Sequence, residues 1–161
     1  MSVRTGLGYD CHAFAAGRRL VLGGVEIPFE RGLAGHSDAD VLTHAVIDAL
    51  LGAAALGDIG QHFPDTDERY RGIDSIELLR AAVALVRAAG FAVLNVDATV
   101  VIERPQLAPL RDAIRARLAD GLGLDPACVS VKATRGEGMG FVGRGEGAAA
   151  LAVATLRAPP P

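Results

Sequence analysis

The segment 40–52 restricts the possible folds most strongly, because it is apolar on almost every side. Its polar positions are only Asp40, Thr43, His44 and Asp48. An α-helix with so few polar side chains is buried inside a protein rather than laid on its surface. The pattern predicts a buried helix over 40–52 with Ser37 or Asp38 as its N-cap. Other elements of the chain must therefore cover this helix.

The rest of the chain predicts a single α+β domain around that helix. A length of 161 residues suits one domain, and the absence of tryptophan leaves mainly aliphatic side chains for the core. The patterns predict strands over 3–9, 91–103, 129–134 and 148–156, a hairpin over 19–27, helices over 75–89 and 107–118, and loops over 58–71 and 136–147. We expect a mixed β-sheet covered on one face by helices, within a domain spanning 1–158 that ends in a frayed tail over 159–161.

Charge and cysteine content narrow the class of partner and the compartment. The net charge of −3 argues against a nucleic-acid partner, which usually selects a basic surface. No run reaches the roughly 18 apolar residues of a membrane span, so no membrane partner is expected. Two cysteines cannot make a disulfide scaffold, and the first residues lack a secretory signal pattern. The expected location is the cytoplasm.

Asp10, His12 and His44 form a candidate metal site. Residues two apart on a strand point to the same face, so Asp10 and His12 share one face and Cys11 is expected to face the core. His44 lies within the apolar helix, where a neutral imidazole needs a partner. Three such ligands with an open fourth position are typical of catalytic zinc. The alternative is that Asp10 and His12 cap a strand end while His44 is a hydrogen-bonded core histidine.

Two further groups of polar residues adjoin the buried helix. Asp40 and Asp48 lie one turn on either side of His44, where a carboxylate can orient a metal-bound imidazole; otherwise they form a solvated acidic edge. His36 and Ser37 precede the helix, whose free N–H groups suit an anion; otherwise they belong to a simple N-cap with His36 on the surface. Spacing alone leaves both pairs of interpretations open.

The glycine-rich segment 136–147 has the features of a phosphate site. Glycine frees backbone N–H groups, and Lys132, Arg135 and Arg144 supply positive charge. Glu137 suits such a loop if it holds Mg²⁺ or Mn²⁺ shared with phosphate oxygens. The segment lacks the lysine pattern of a P-loop. The alternative is a flexible glycine loop without a ligand.

Six segments match, in order, the motifs of one enzyme family. They are G-Y-D-C-H-A-F at 8–14, H-S-D-A-D-V-x-x-H-A-x-x-D-A-L-L-G at 36–52, G-D-I-G-x-x-F-P-D-T-D at 57–67, N-V-D-A-T-V at 95–100, V-K-A-T at 131–134 and G-F-V-G-R-G-E-G at 140–147. The chain resembles the 2-C-methyl-D-erythritol 2,4-cyclodiphosphate synthase family of the non-mevalonate isoprenoid pathway. The resemblance covers nearly the whole chain.

This resemblance implies a reaction and an assembly. The 2-phosphate of 4-diphosphocytidyl-2-C-methyl-D-erythritol 2-phosphate attacks the β-phosphorus, closes the cyclic diphosphate and expels CMP. The implied assembly is a homotrimer of α+β subunits with three active sites at subunit boundaries. The implied cofactors are Zn²⁺ and a second divalent cation, Mg²⁺ or Mn²⁺. The competing hypotheses are a zinc-dependent phosphohydrolase and a trimeric scaffold with a structural metal.

The resemblance also implies roles for individual residues. The expected metal ligands are Asp10, His12 and His44 for zinc and Glu137 for the second cation. His36 and Ser37 would hold the 2-phosphate or the charge that develops on it. The residues expected around the methylerythritol part are Asp58, Ile59, Gly60, Phe63, Pro64, Asp65, Thr66 and Asp67. Cytidine is expected to lie against the segment 102–108 of a neighbouring subunit, with Ile102, Gln106, Leu107 and Ala108, and against Ala133 and Thr134. Phe141 and Arg144 are expected on the phosphate side.

Two positions depart from the family pattern. The family commonly has two hydroxyl residues after Thr134, where this chain has Arg135 and Gly136. Arg135 is expected either to supply a charged contact to phosphate or to point away and leave the contact to the backbone. Gln106 replaces a familiar lysine. We expect base recognition there to depend on backbone groups, so that the preference for a cytidine diphosphate survives.

Overall fold

The structure, a computed structural model, describes residues 2–158. Its strands are β1 Val3–Ala15, β2 Leu20–Leu22, β3 Val25–Ile27, β4 Gly32–Leu33, β5 Ala92–Val101, β6 Val129–Thr134 and β7 Gly147–Arg157. Its α-helices are α1 Val41–Ala53, α2 Ile59–His62, α3 Ser75–Ala88, α4 Arg111–Leu122 and α5 Gly140–Gly143, with 3-10 turns at Glu68–Tyr70, Ala108–Leu110 and Pro126–Cys128. The predicted tail 159–161 lies outside the described residues.

Five strands form one mixed sheet in the order β4–β1–β7–β5–β6. β7 pairs antiparallel with both β1 and β5, whereas β5 and β6 run parallel. β2 and β3 form a separate hairpin. The mixed sheet, the hairpin and the terminal strand are therefore confirmed. The alanine-rich segment at the end of the chain becomes a strand because it is hydrogen-bonded on both sides, which overrides its local helix propensity.

β1 packs unusually closely against α1 because glycine occupies the two facing positions. A Cβ atom at Gly8 would lie 1.8 Å from the carbonyl oxygen of Ala45, and one at Gly6 would lie 2.1 Å from that of Ala49. Real Cβ atoms do not approach oxygen so closely, so a larger residue would force the helix away from the strand. The two glycines thus bring the inner face of β1 directly against the helix that carries His44.

Helices cover one face of the sheet, as predicted, while the opposite face stays open in the single chain. On the open face the side chains of Leu7 and Tyr9 are 67% and 52% exposed, and those of Leu151 and Val153 are 40% and 42% exposed. Leu7 pairs with Val153 and Tyr9 with Leu151 across neighbouring strands. The four side chains therefore form one continuous apolar surface. Cys11 also lies on the exposed side of β1, so the prediction that it faces the core is wrong.

The N-cap of α1 is Asp40, and the prediction of Ser37 or Asp38 is wrong. The Asp40 carboxylate accepts the backbone N–H of Thr43 at 3.0 Å. It also accepts the N–H groups of Gly23 and Gly24, at 2.9 and 2.7 Å, from the turn between β2 and β3. Asp40 is fully buried. One carboxylate therefore begins the helix and anchors the hairpin, a long-range contact that local sequence patterns do not reveal.

The segment 58–71, predicted to be a loop, contains α2 and the 3-10 turn at Glu68–Tyr70. Asp58 begins the first by accepting the N–H of Gln61 at 3.0 Å, and Asp67 begins the second by accepting that of Arg69 at 3.0 Å. Single turns of helix are too short to show apolar periodicity, which explains the wrong prediction. Within residues 2–158, every helix is too short or too polar to cross a bilayer.

Candidate metal centre and active site

Asp10, His12 and His44 meet between β1 and α1. The Oδ2 atom of Asp10 lies 2.9 Å from Nε2 of His12 and 3.1 Å from Nδ1 of His44, and these two nitrogens are 3.3 Å apart. Among residues 2–158, these three side chains are the ones whose possible ligand atoms all lie within 4.8 Å of one another. One carboxylate and two imidazoles form a donor set that suits zinc. The cluster therefore fits a metal site better than a strand-end cap.

Both imidazoles are held from behind by their other ring nitrogen. Nδ1 of His12 donates to the carbonyl oxygen of Ala34 at 2.6 Å, which leaves Nε2 facing the cluster. Nε2 of His44 lies 2.9 Å from the hydroxyl of Ser75 and 3.2 Å from that of Ser37. Such outer contacts fix the orientation of metal-binding imidazoles. The three ligand atoms are thus aimed at a common point by the folded chain itself.

Electrostatics within the cluster favour an ionised carboxylate. Burial opposes ionisation of Asp10, but the neighbouring imidazoles of His12 and His44 outweigh burial and lower its pKa to about 2. Burial likewise opposes a charge on His12, yet the hydrogen bond to Asp10 raises the pKa of this imidazole. Asp10 therefore carries its negative charge at neutral pH, as a metal ligand must.

The cluster forms part of the wall of a cavity of about 450 Å³, which we call the metal-side cavity. The predicted substrate residues that line it are His36, Ser37, Ile59, Gly60, Phe63, Pro64, Asp65 and Thr66. Four other lining residues were not expected from the sequence as substrate contacts: Gly35, Asp48, Tyr70 and Leu78. Tyr70 is brought there by an edge-on contact with Phe63, at 5.6 Å between ring centres, which no short motif indicates.

Asp58 and Asp67 do not line this cavity but shape the segment beside it. Asp58 caps α2, and the side chain of Asp67 binds Arg69. The carbonyl oxygen of Asp67 accepts a hydrogen bond from Nε2 of His36 at 3.0 Å. His36 is therefore half-buried against the loop rather than free on the surface.

Neither Asp40 nor Asp48 orients His44, so that interpretation of the acidic stripe is wrong. Asp40 serves the helix cap and the hairpin, and its complete burial also excludes a solvated acidic edge at this position. Asp48 accepts the backbone N–H of Ile59 at 2.8 Å, and burial raises the pKa of its carboxyl group. The contacts to Nε2 of His44 come from Ser37 and Ser75 instead.

A second cavity, of about 330 Å³, lies where β5 and β6 end, and we call it the β5–β6 cavity. The predicted cytidine residues that line it are Ile102, Gln106, Leu107, Ala108, Ala133 and Thr134. Arg135 lines it too, as do Glu103 and Pro105 from the predicted segment 102–108. The two cavities share no lining residue. Within one chain, the two predicted halves of the active site are therefore separate.

The glycine-rich segment 136–147 lies outside both cavities, and the cations within it and just before it lie near carboxylates. Lys132 binds Asp97 at 2.6 Å, and Arg144 binds Glu146 at 2.7 Å. Arg135 lies 3.7 Å from Glu137, which adopts a positive φ of 52°. The residues Glu137, Phe141 and Arg144 line neither cavity.

Comparisons with known proteins agree with this architecture. Residues 3–157 match the model of the YgbB family. The 2-C-methyl-D-erythritol 2,4-cyclodiphosphate synthase of Alkaliphilus oremlandii is 54% identical over 154 residues, covering 96% of this chain and 98% of that protein. The bifunctional enzyme IspD/IspF of an Anaeromyxobacter species is 62% identical over 154 residues, covering 96% of this chain. This chain spans only 40% of the length of that bifunctional relative.

Solved structures give the same result. The bifunctional IspDF of Campylobacter jejuni superposes with a TM-score of 0.93 at 44% identity, covering 96% of this chain and 42% of that one. A 2C-methyl-D-erythritol-2,4-cyclodiphosphate synthase in a CDP-bound form gives 0.88 at 39% identity, covering 96% and 100%. The family match extends over nearly all the described residues. The chain therefore belongs to the YgbB family of 2-C-methyl-D-erythritol 2,4-cyclodiphosphate synthases, as its motifs predicted.

Proposed function

We propose that this protein converts 4-diphosphocytidyl-2-C-methyl-D-erythritol 2-phosphate to 2-C-methyl-D-erythritol 2,4-cyclodiphosphate and releases CMP. The observation that carries the proposal is the convergence of Asp10, His12 and His44 in the wall of a cavity, within a chain of this family. Ring closure by phosphoryl transfer needs little covalent chemistry from a protein. Positioning of the two phosphates and neutralisation of their charge are what the site has to supply.

Asp10, His12 and His44 would hold Zn²⁺ in the wall of the metal-side cavity. A bound zinc ion neutralises and polarises a phosphate oxygen. His36 and Ser37 line the same cavity next to the cluster and would hold the attacking 2-phosphate. The walls formed by Ile59, Gly60 and the segment 63–67 would enclose the methylerythritol carbon chain and exclude water.

The β5–β6 cavity would bind the cytidine part of the substrate. A relative of 39% identity has been solved in a CDP-bound form, and CDP is the proposed substrate without its phosphorylated sugar alcohol. Gln106 and Ala133 line this cavity, as does Arg135 at its edge. Arg135 would then contact a phosphate oxygen in place of the hydroxyl that is common in the family. Glu137, next to it, would bind the second cation, Mg²⁺ or Mn²⁺, with Phe141 and Arg144 on the phosphate side.

The separation of the two cavities supports a composite site. One substrate molecule has to reach both the metal cluster and a cytidine pocket, yet the two cavities share no residue within a single chain. A neighbouring copy would supply the missing half. The open apolar surface formed by Leu7, Tyr9, Leu151 and Val153 provides a contact area for such an assembly, which we propose to be a homotrimer.

Product analysis tests the proposed reaction. The protein is incubated with the cytidine-linked substrate, zinc and magnesium, and the products are identified by mass. We expect CMP and a cyclic diphosphate. An acyclic methylerythritol bisphosphate would instead indicate transfer to water by a phosphohydrolase, and absence of CMP would contradict both enzymatic hypotheses.

Mixed assemblies test the composite site. Under the proposal, His44→Ala damages one half of the site and Arg135→Glu damages the other half. Each variant alone should have strongly reduced activity. Assemblies reconstituted from both should regain part of the activity at boundaries that combine two intact halves. A mixture as inactive as its components would contradict a site shared between subunits.

A further inference from the structure

The two ring nitrogens of His44 have different kinds of neighbours. Nδ1 faces the ligand atoms of Asp10 and His12, at 3.1 and 3.3 Å. Nε2 faces two hydroxyl groups, those of Ser75 at 2.9 Å and Ser37 at 3.2 Å. A neutral imidazole carries its proton on only one of these nitrogens. The hydroxyl groups therefore bear directly on whether Nδ1 is free to bind a metal.

Asp38 fixes the direction in which the Ser75 hydroxyl donates its hydrogen bond. The hydroxyl donates to Oδ1 of Asp38 in a short hydrogen bond. Oδ2 of Asp38 accepts the backbone N–H of Ser75 at 2.9 Å, and Oδ1 also accepts the N–H of Asp40 at 3.2 Å. In each of these bonds the carboxylate accepts, so the Ser75 hydroxyl is the donor to Asp38. Ser75 is fully buried, so water does not offer its hydroxyl an alternative acceptor.

The Ser75 oxygen consequently presents a lone pair to His44. Two lone pairs facing each other at 2.9 Å would repel, so Nε2 of His44 has to carry the proton and donate it. Ser37 allows the same arrangement, because its oxygen already accepts the N–H of Ala39 at 3.2 Å and has a further lone pair. Asp10 acts in the opposite direction: its carboxylate would attract a proton onto Nδ1, which would block metal binding there.

We propose that Asp38 and Ser75 are positioning residues that hold His44 in the tautomer protonated on Nε2, with the Nδ1 lone pair directed at the metal cluster. The proposal rests on the metal binding assigned to Asp10, His12 and His44 above. The two residues come from different elements, since Asp38 precedes α1 and Ser75 is the first residue of α3. The start of α3 is thereby connected to the metal-binding ring of α1.

The first experiment reads the tautomer directly. Long-range ¹H–¹⁵N correlation spectra of the metal-free protein, at a pH above the ordinary titration range of histidine, distinguish a protonated from an unprotonated ring nitrogen. Single substitutions of the four histidines assign the signals. We expect the proton of His44 on Nε2 in the unmodified protein, and a shift toward Nδ1 in Ser75→Ala. A wild-type protein with the proton on Nδ1 would overturn the proposal, even if the variant failed to fold.

The second experiment measures zinc affinity by competition with a chelator. Loss of an outer partner of a metal-binding imidazole typically weakens binding about 10- to 100-fold, and we expect this for Ser75→Ala and Asp38→Asn. Asp74→Asn is the matched control. Asp74 caps α3, the helix that begins at Ser75, by accepting the N–H of Ile76 at 2.8 Å. Among the described contacts, it does not reach His44. Its zinc affinity should equal that of the unmodified protein.

The outcomes distinguish the metal assignment from the positioning role. If the unmodified protein binds no zinc, the metal assignment fails. The tautomer spectra still show whether Asp38 and Ser75 hold the proton of His44 on Nε2. If the unmodified protein binds zinc but Ser75→Ala matches it in both affinity and tautomer, the positioning role is refuted. A loss of affinity in Asp74→Asn equal to that in Asp38→Asn would also refute it, since helix capping alone would then explain the effect.

Discussion

The metal-side cavity and the β5–β6 cavity obtain their chemistry in different ways. Around Asp10, His12 and His44, half-buried side chains hydrogen-bond one another at 2.9 to 3.3 Å, so a single chain arranges the ligands. Around Arg135, the side chains are exposed. The neighbouring cations Lys132 and Arg144 form ion pairs with Asp97 and Glu146. A metal centre can thus be organised within one fold. The charges around the β5–β6 cavity are exposed, and within one chain they face other surface charges rather than converging on a common point.

Removing a metal ligand should have the largest effect of any single substitution. His44→Ala should reduce turnover about 1000-fold or more, because a zinc ion contributes several kcal/mol of transition-state stabilisation. Circular dichroism should show that the fold persists, which would exclude a purely structural metal. His62→Gln is the control: His62 donates to the carbonyl oxygen of Leu56 outside the cavity, and glutamine can keep that bond. Unfolding of His44→Ala would support the scaffold hypothesis instead.

Arg135 tests the other cavity. Arg135→Thr, which restores a hydroxyl, should retain most of the activity, whereas Arg135→Glu should lose about 100-fold because it repels phosphate where a donor is needed. Steady-state rates of CMP release compare the two. Equal activity of both variants would show that this side chain does not face phosphate, and the β5–β6 cavity would then lack its main charged contact to the substrate.

The close contact between β1 and α1 brings the three candidate metal ligands together within one chain. Gly8→Ala should lower the free energy of unfolding by about 3 kcal/mol, since its Cβ would overlap the carbonyl oxygen of Ala45. Gly52 lies on α1 with open space around it. Gly52→Ala should therefore raise the free energy of unfolding by up to about 1 kcal/mol. Denaturant titration of both variants measures this. A neutral Gly8→Ala would mean that the helix and strand can separate freely.

The smallest expected effects are changes in the free energy of unfolding when one carboxylate is removed. Asp10 near the metal-side cavity is compared with Asp97 on β5. In metal-free protein, the pKa of Asp10 falls from 3.8 to about 2 on folding, because the neighbouring imidazoles of His12 and His44 outweigh burial. Its charge therefore stabilises the fold by about 2 kcal/mol above pH ~4, and this contribution is lost as the pH falls through about 2. Urea unfolding of Asp10→Asn against the unmodified protein should show this difference near pH ~5 but not at pH ~2.

Asp97, on β5 and paired with Lys132 of β6, provides the matched measurement. Its hydrogen bond from Lys132 lowers the pKa of Asp97, but both side chains are largely exposed to solvent. Asp97→Asn should therefore cost less than about 1 kcal/mol in the same assay. An equal cost for both substitutions would contradict the idea that the metal-side cavity is the more strongly pre-organised region.

Sequence patterns predicted the elements better than the contacts between them. The strand period of two placed Asp10 and His12 on one face of β1, and the apolar run around His44 predicted a buried helix. Both are local properties. The N-cap of α1 and the partners of His44 escaped prediction, since Asp40 and Ser75 act through elements distant in sequence. The single-turn helix α2 was missed because four residues cannot show a helical period.

The sequence by itself determined the family, the mixed sheet, the buried helix and the candidate residues, because motif order and hydrophobic periodicity are written along the chain. Tertiary structure decided which residues meet. It brought Ser75 and Asp38 to the back of His44, placed Cys11 on the open face of the sheet and separated the metal-side cavity from the β5–β6 cavity. These outcomes depend on how strands and helices pack across long stretches of chain, which local spacing does not encode.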